Sequence, residues 1–253
     1  MRPNNAHLDA DAPLVAGNDP TAYAQPRITD LLVATTNEGK VRELRALLDG
    51  LPMRLIRPAD LGLKMDIAET GSTYAENAAL KAQAWFEKTG LPTLAEDSGL
   101  EIDALGGEPG VLSARYLDLP DGAIKNAHVL DMLQGVPTSR RGCRYVCVIN
   151  LIEGEGQSRF FEGRCAGRIA FEPAGEGGFG YDPIMLIPRL GQTVAELPED
   201  EKNRISHRGR ATRKLARYLR QAAVLDRSRA DLDRQSARRI VATAYNFSVA
   251  SVE

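Results

Sequence analysis

Cysteine is scarce in this 253-residue chain, with only Cys143, Cys147 and Cys165. They lack the clustering of a metal-ligand set, and an odd number of them reads as reduced core thiols in a cytoplasmic protein. No charge excess of either sign exists: 32 Lys and Arg stand against 34 Asp and Glu, a formal net charge of -2. Bulk electrostatics therefore makes no case for a nucleic-acid or membrane partner. No apolar run approaches the roughly 20 residues of a membrane span. The N-terminus has no apolar segment flanked by positive charge, so secretion is not expected. The G-x-x-x-x-G-K-[ST] spacing of a Walker phosphate loop is also missing. What is present is a 43% hydrophobic share, enough to bury a substantial core as one large domain or as two lobes sharing a sheet.

Residues 1–26 are rich in Asn, Asp, Ala and Pro without a sustained period, and read as a flexible extension. Ile28 to Ala34 is the first convincing strand, followed by the turn Thr35-Thr36-Asn37-Glu38-Gly39-Lys40. Val41, Leu44, Leu47 and Leu48 then recur at helical spacing, with Gly50-Leu51-Pro52 as the stop. Backbone N–H groups at such a helix start favour an anion, and Lys40 adds a full charge, although Thr and Asn also cap helices with no ligand. Met53 to Arg57 fits a short strand. The loop Glu69-Thr70-Gly71-Ser72 leads to a helix over residues 73–88, with Thr73 and Glu76 at capping-box spacing. On it Asn77 and Lys81 share one face, while Ala78, Ala82 and Trp85 supply the packing side.

A central stretch runs from Leu91 to Arg115. Its apolar start, Leu91 to Ala95, precedes Glu96 and Asp97. Ser98-Gly99 reads as a break, after which Leu100 to Leu105 resumes the strand pattern. Two acids at such a break would lie in a cleft, where metal-assisted chemistry needs them, although an isolated Asp-Ser-Gly can be an ordinary polar turn. Ala123 to Leu133 reads as a helix, and Tyr145 to Ile152 with Arg159 to Ile169 as a hairpin. Cys143 and Cys147 are spaced to point to one sheet face. The loop Pro173 to Pro183 is dense in glycine and holds Phe179, Tyr181 and Asp182, so backbone can approach a ligand and a ring can stack on a flat one. Lys202, His207 and Arg208 fall near the start of a helix reaching about Ala223. A basic helix start is unfavourable unless something negative sits there.

Taken in order, these motifs resemble the inosine/xanthosine triphosphate pyrophosphatases, enzymes that remove non-standard purine nucleotides from the nucleotide pool. The resemblance spans about Ile28 to Leu225. Its blocks are Thr35-Thr36-Asn37 with Gly39-Lys40; Glu69-Thr70-Gly71 with Glu76-Asn77-Ala78; Glu96-Asp97-Ser98-Gly99-Leu100; Pro109-Gly110 with Ser113-Ala114-Arg115-Tyr116; Gly177 to Pro183; and Lys202 with Ser206-His207-Arg208-Gly209. Any one is weak, but six in order are specific. The resemblance implies an α/β fold: a long, mixed, twisted sheet flanked by helices, in two lobes with the active-site cleft between them. Residues 27–225 would be the pyrophosphatase domain, and 226–253 an extension of unassigned role.

The implied reaction hydrolyses a purine nucleoside triphosphate to the monophosphate and pyrophosphate with Mg²⁺, in a cytoplasmic homodimer. By resemblance Asp97 is the catalytic carboxylate, binding Mg²⁺ and orienting or deprotonating the attacking water, and Glu69 is the other metal-associated acid. Ser98 and the turn Thr35, Thr36, Asn37, Glu38, Gly39 and Lys40 would hold phosphate oxygens. Lys81 would reach the same anionic region, supported by Asn77. Phe179 would stack on the purine, with Gly180, Tyr181 and Asp182 shaping the sugar and base end, and Lys202, His207 and Arg208 contacting the base edge. Two departures are Thr36, where relatives often have Gly, and Glu96, where they often have Asp. His7 and His128 carry no role. A pyrophosphatase of modified pyrimidine or ordinary nucleotides, a nucleotide-binding regulatory module that has lost catalysis, and an interaction protein using the C-terminal tail are the competing readings.

Overall fold

The computed structural model describes residues 28–120 and 122–223. The expectations for residues 1–26 and 226–253 lie outside the described residues. Strand β1 (Asp30–Val33) buries three of its four residues and is followed by helix α1 (Glu38–Leu48). Asn37 caps α1, its side chain accepting from Lys40 N at 3.1 Å. Strand β2 (Arg54–Ile56) pairs parallel with β1. Helix α2 (Tyr74–Thr89) is capped by Thr73, which accepts from Glu76 N. The reciprocal half of the expected capping box shifts by one residue: the Glu76 carboxylate accepts from Ser72 N and Oγ instead.

Three long strands carry the rest: β3 (Thr93–Ile102), β4 (Gly142–Gly154) and β5 (Gln157–Ile169). Helix α3 (Ala123–Met132) lies between β3 and β4, and short strands β6 (Met185–Ile187) and β7 (Gln192–Thr193) complete a seven-stranded sheet in the order β2-β1-β3-β4-β5-β6-β7. The β1 pairings are parallel and the others antiparallel, so the sheet is mixed and open. Helix α4 (Glu199–Ile205) stops at Ser206, and residues 207–223 form a further helix, α5. Among the described residues no helix is long and apolar enough to cross a membrane.

The expected break at Ser98-Gly99 is absent. Strand β3 runs through it, with Asp97, Ser98 and Gly99 in register with Val148, Cys147 and Val146 of β4. Gly99 marks a close approach instead. A Cβ there would collide with the Gly110 carbonyl and Ser113 Oγ, because the turn after β3 folds back onto it and Ser113 Oγ accepts from Leu100 N at 2.8 Å. Gly163 plays the same part on β5, where a Cβ would collide with the backbone at His207 and Ala211. That contact seats the start of α5 directly on the sheet.

Strand alternation then lays out two lobes. On one face of β3, Leu94 belongs to an apolar cluster with Leu44, Leu48, Ile149, Leu151 and Leu215. Leu100 and Ile102 belong to another with Val129, Leu133, Tyr181 and Ile184. Between the clusters, on the same face, stand Glu96 and Ser98. The other sheet face takes α2 through Ala82 and Trp85 against Leu32, Ala95 and Ile152. Cys143 and Cys147 both point to the first face as expected, and both are buried. Strand β1 pairs with β3 only as far as Leu94. The β3 edge beyond it is therefore open to the turn after β1, and the cleft forms there.

Gly99→Ala is expected to cost about 1–3 kcal/mol in urea unfolding, because the 110–113 turn must move off the strand. An unchanged midpoint would show that this turn is not packed against β3.

Candidate active site

The pleat separates the two neighbouring acids of β3. Asp97 faces α2, where its Oδ2 accepts from Asn77 Nδ2 at 3.2 Å and its Oδ1 meets Lys81 Nζ at 3.3 Å. Glu96 faces α5, where its carboxylate takes Arg208 Nε at 2.7 Å and Nη2 at 2.9 Å. The sequence expectation that both acids share one metal-side cleft is thus corrected, because consecutive strand residues point to opposite faces.

Behind Glu96 lies a buried network of six charges. Arg208 Nη1 donates to Glu43 Oε2 at 2.6 Å, and Lys202 Nζ bridges Glu43 and Asp182 at 2.7 Å each. Lys40 Nζ closes it against Glu96 at 3.0 Å. Three carboxylates face three cations, so the cluster is neutral as a whole. Burial pushes Glu96 up, but Arg208 and Lys40 more than reverse this and hold it well below the usual carboxylate range. Burial alone would lower the Arg208 pKa; Glu96 and Glu43 hold it well above its ordinary value. The unfavourable basic helix start expected from the sequence is answered by the chain's own carboxylates.

Arg208 is nearly saturated. Its Nε–H and one Nη2–H go to Glu96, the other Nη2–H goes to Ser98 Oγ at 3.1 Å, and one Nη1–H goes to Glu43. Of the guanidinium's donors, the second Nη1–H remains. Lys202 and Arg208 also lie over the Phe179 ring, at 4.7 and 5.5 Å from its centroid. Asp182 fixes that ring's backbone by accepting from Phe179 N at 2.8 Å, and accepts from Tyr145 Oη at 3.1 Å. His207 stacks on Tyr145 with centroids 4.6 Å apart and planes 23° apart. Burial and the neighbouring Arg208 charge depress its pKa far below the ordinary value, so the imidazole is neutral. Its Nδ1 is buried with no partner among the described residues. These groups line a cavity whose walls also include Ser98, Leu100 and Gly180.

A second cavity adjoins it, and Asn37, Lys40 and Ala114 line both. Thr35, Thr36, Glu69 and Lys81 line this outer one. Lys81 Nζ lies 2.5 Å from Glu69 Oε1 as well as touching Asp97, and Arg115 Nη1 donates to Glu69 Oε2 at 2.8 Å. Burial, reinforced by Glu69 and opposed by Lys81, leaves Asp97 raised. Glu69 ends up lowered, because Lys81 and Arg115 outweigh its burial. Among the described residues no three His, Cys, Asp or Glu form a metal cage. The two carboxylates that converge on one ammonium suit a cation that takes its remaining ligands from water and phosphate, as Mg²⁺ does.

The structure brings most of the sequence-selected residues to the walls of two joined chambers. Asp97 meets Lys81 of the outer wall and is held by Asn77, and Gly39 lies against the Phe179 ring. Glu38 is the one that turns away. Its carboxylate is exposed and pairs with Arg57 at 3.2 Å, away from both chambers. Glu96 lies across the sheet from Asp97 and Glu69 and serves the inner chamber. Three participants carried no role in the sequence reading: Tyr145, read only as a strand start yet stacked on His207 and bonded to Asp182, and two others. Glu43 stands beside the apolar stripe of α1, and a buried carboxylate at that edge was its only signal. Arg115 was part of a motif, yet its reach to Glu69 crosses 46 residues of chain.

Glu96→Gln is expected to lower stability by about 3–5 kcal/mol at neutral pH, since it leaves Arg208 short of charge. The Glu96 pKa is lowered on folding, so this loss is fully present above pH 4.5 and fades as pH falls below it. Asp97 has the opposite sign. Its raised pKa means Asp97→Asn is at least as stable as the parent well above pH 3.8, with the difference vanishing below it. Urea titrations of both variants at pH 3.5 and 7 check the pair; equal behaviour would overturn the two-faced arrangement.

A model of the Ham1 family matches residues 31–218. A "dITP/XTP pyrophosphatase" of Xanthomonas oryzae pv. oryzae is 47% identical over 192 residues, covering 75% of this chain and 96% of that protein. One of Xylella fastidiosa is 46% identical over 188 residues, covering 73% and 94%. The solved structure of a HAM1 protein from Coxiella burnetii superposes with a TM-score of 0.71 at 41% identity, covering 77% of this chain and all of that one.

Proposed function

The chain belongs to the Ham1 family, and from that premise we propose that it hydrolyses non-standard purine nucleoside triphosphates (ITP, dITP, XTP) to the monophosphate and pyrophosphate. The observation that carries the reading is the continuity of the two chambers through Lys40. A cavity walled by a ring, a neutral imidazole and two cations opens onto a pair of carboxylates bridged by an ammonium.

In this proposal the purine enters the inner chamber against Phe179. The remaining Nη1–H of Arg208 and the third N–H of Lys202 are donors, and they suit the 6-oxo acceptor of hypoxanthine and xanthine. Adenine would present an amino donor to the same donors. A buried site that leaves polar groups mismatched discriminates far more strongly than shape does. His207 Nδ1, unpartnered and neutral, supplies a further polar contact. The six-charge network holds these donors in place before the ligand arrives.

The phosphates extend past Lys40 into the outer chamber, where the N-terminal end of α1 and Lys81 favour anions. Glu69 and Asp97 would hold Mg²⁺, which supplies charge neutralisation at the transferring phosphoryl group and the leaving pyrophosphate when bound. Asp97 orients the attacking water and takes its proton at a carboxylate oxygen. Asn77 keeps that carboxylate from rotating, and partial burial makes it a better proton acceptor than an exposed Asp. The water oxygen joins the α-phosphorus, and the α–β bridging oxygen leaves with pyrophosphate. The proposal extends to a cytoplasmic homodimer.

Pyrophosphate release is to be measured from ITP, ATP and a pyrimidine triphosphate, with Mg²⁺ and with chelator. ITP is expected to be turned over much faster than ATP and only with metal, and Asp97→Asn is expected to lose at least about 100-fold. Equal rates on the three nucleotides would remove the base-recognition argument. Tight nucleotide binding without release would make the chain a nucleotide sensor.

A further inference from the structure

Glu69 has no oxygen free of a cation. Lys81 takes Oε1, Arg115 Nη1 takes Oε2, and Arg115 Nη2 also donates to the Glu69 backbone carbonyl at 2.9 Å. Asp97 shares Lys81. Two carboxylates thus face two cations, and Lys40 is already balanced by Glu96. The exposed Asp66 at the rim is a further charge, and solvent screens it. A divalent ion entering this site alone would face Lys81 and Arg115 with almost no net negative charge to hold it. The same ion arriving chelated by a polyphosphate brings its own anion.

We propose that Arg115 is a positioning residue that closes Glu69 to free divalent cations and transfers to phosphate oxygens when metal and polyphosphate enter together. This rests on the outer chamber being the phosphate and metal end of the site. Arg115 suits the exchange chemically, because a guanidinium fork binds phosphate as well as it binds carboxylate. It suits it mechanically too. The backbone before it is clamped: Lys125 Nζ donates to the Ala114 carbonyl at 2.7 Å, and Tyr181 Oη donates to that of Ser113 at 3.0 Å. The Arg115 side chain itself is 40% exposed. Its end can swing from Glu69 to a ligand while the loop stays still. The charge arithmetic makes metal and polyphosphate binding mutually dependent, and Arg115 is the group through which that dependence is set.

The test uses the full chain without nucleotide and Mn²⁺ alone as probe, followed by electron paramagnetic resonance at fixed ionic strength. The parent protein is expected to bind free Mn²⁺ weakly, and Arg115→Met to bind it about tenfold more tightly, with Arg115→Lys between them. A second titration with inorganic pyrophosphate in chelator is expected to weaken by a similar factor in Arg115→Met. A structural defect would weaken both ligands, so tightening of one with loosening of the other is specific to the exchange. Unchanged or weaker Mn²⁺ binding in Arg115→Met, or tight binding of free Mn²⁺ by the parent, would overturn the proposal. Neither titration involves turnover. Failure of ITP hydrolysis with the Mn²⁺ result intact would therefore reject the proposed reaction and leave the Arg115 closure standing.

Discussion

A buried guanidinium must be neutralised where it sits, and Arg208 meets that demand by drawing carboxylates from three separate elements. Glu96 comes from β3, Glu43 from α1, and Asp182 joins through Lys202 on α4. The cluster can form only when α1, α4 and α5 are docked on the same sheet face, so the ion network doubles as a statement of tertiary arrangement. As a source of stability such a network is poor, because apolar residues of similar volume do as well. What it does here is place. It holds two cations over one aromatic ring and leaves each with little spare hydrogen-bonding capacity, which is a narrow specification for the edge of a ligand.

The sheet's two-residue period then divides the chemistry. Adjacent acids on β3 live in opposite electrostatic worlds: Glu96 is held ionised among cations, whereas Asp97 is raised by burial beside Glu69. One strand therefore presents the Arg208 ion network on one face and the Asp97–Lys81–Glu69 cluster on the other, with Lys40 lining both chambers. This is possible because β1 ends at Val33, opposite Leu94, and leaves the next part of β3 uncovered on that edge.

Much of this was legible in the sequence. The apolar spacing of α1, the alanine face and Thr73 cap of α2, and the glycine turn between β4 and β5 all follow from local periodicity and capping. The ordered motifs singled out many of the residues that line the two chambers. Other features were not legible because local rules pointed elsewhere. Ser98-Gly99 looks like a strand break, yet Gly99 is glycine because a turn 11 residues later packs on it. Glu38 shares a motif with Lys40, yet helix geometry turns it outward to Arg57. Glu43 looks like an ordinary surface carboxylate of an amphipathic helix until Arg208 is brought to it from 165 residues away.

The sequence by itself determined most of the longer elements and which residue types the candidate site contains, because caps, turns and periodicity act within a few residues. Only the tertiary structure decided which partner each charge has. Ion pairing depends on distances of a few ångströms between groups far apart in the chain, and on how much water is excluded around them. Those two quantities separate Glu96 from Asp97, saturate Arg208, and set Arg115 against Glu69. None of them exists until the strands have paired and the helices have covered them.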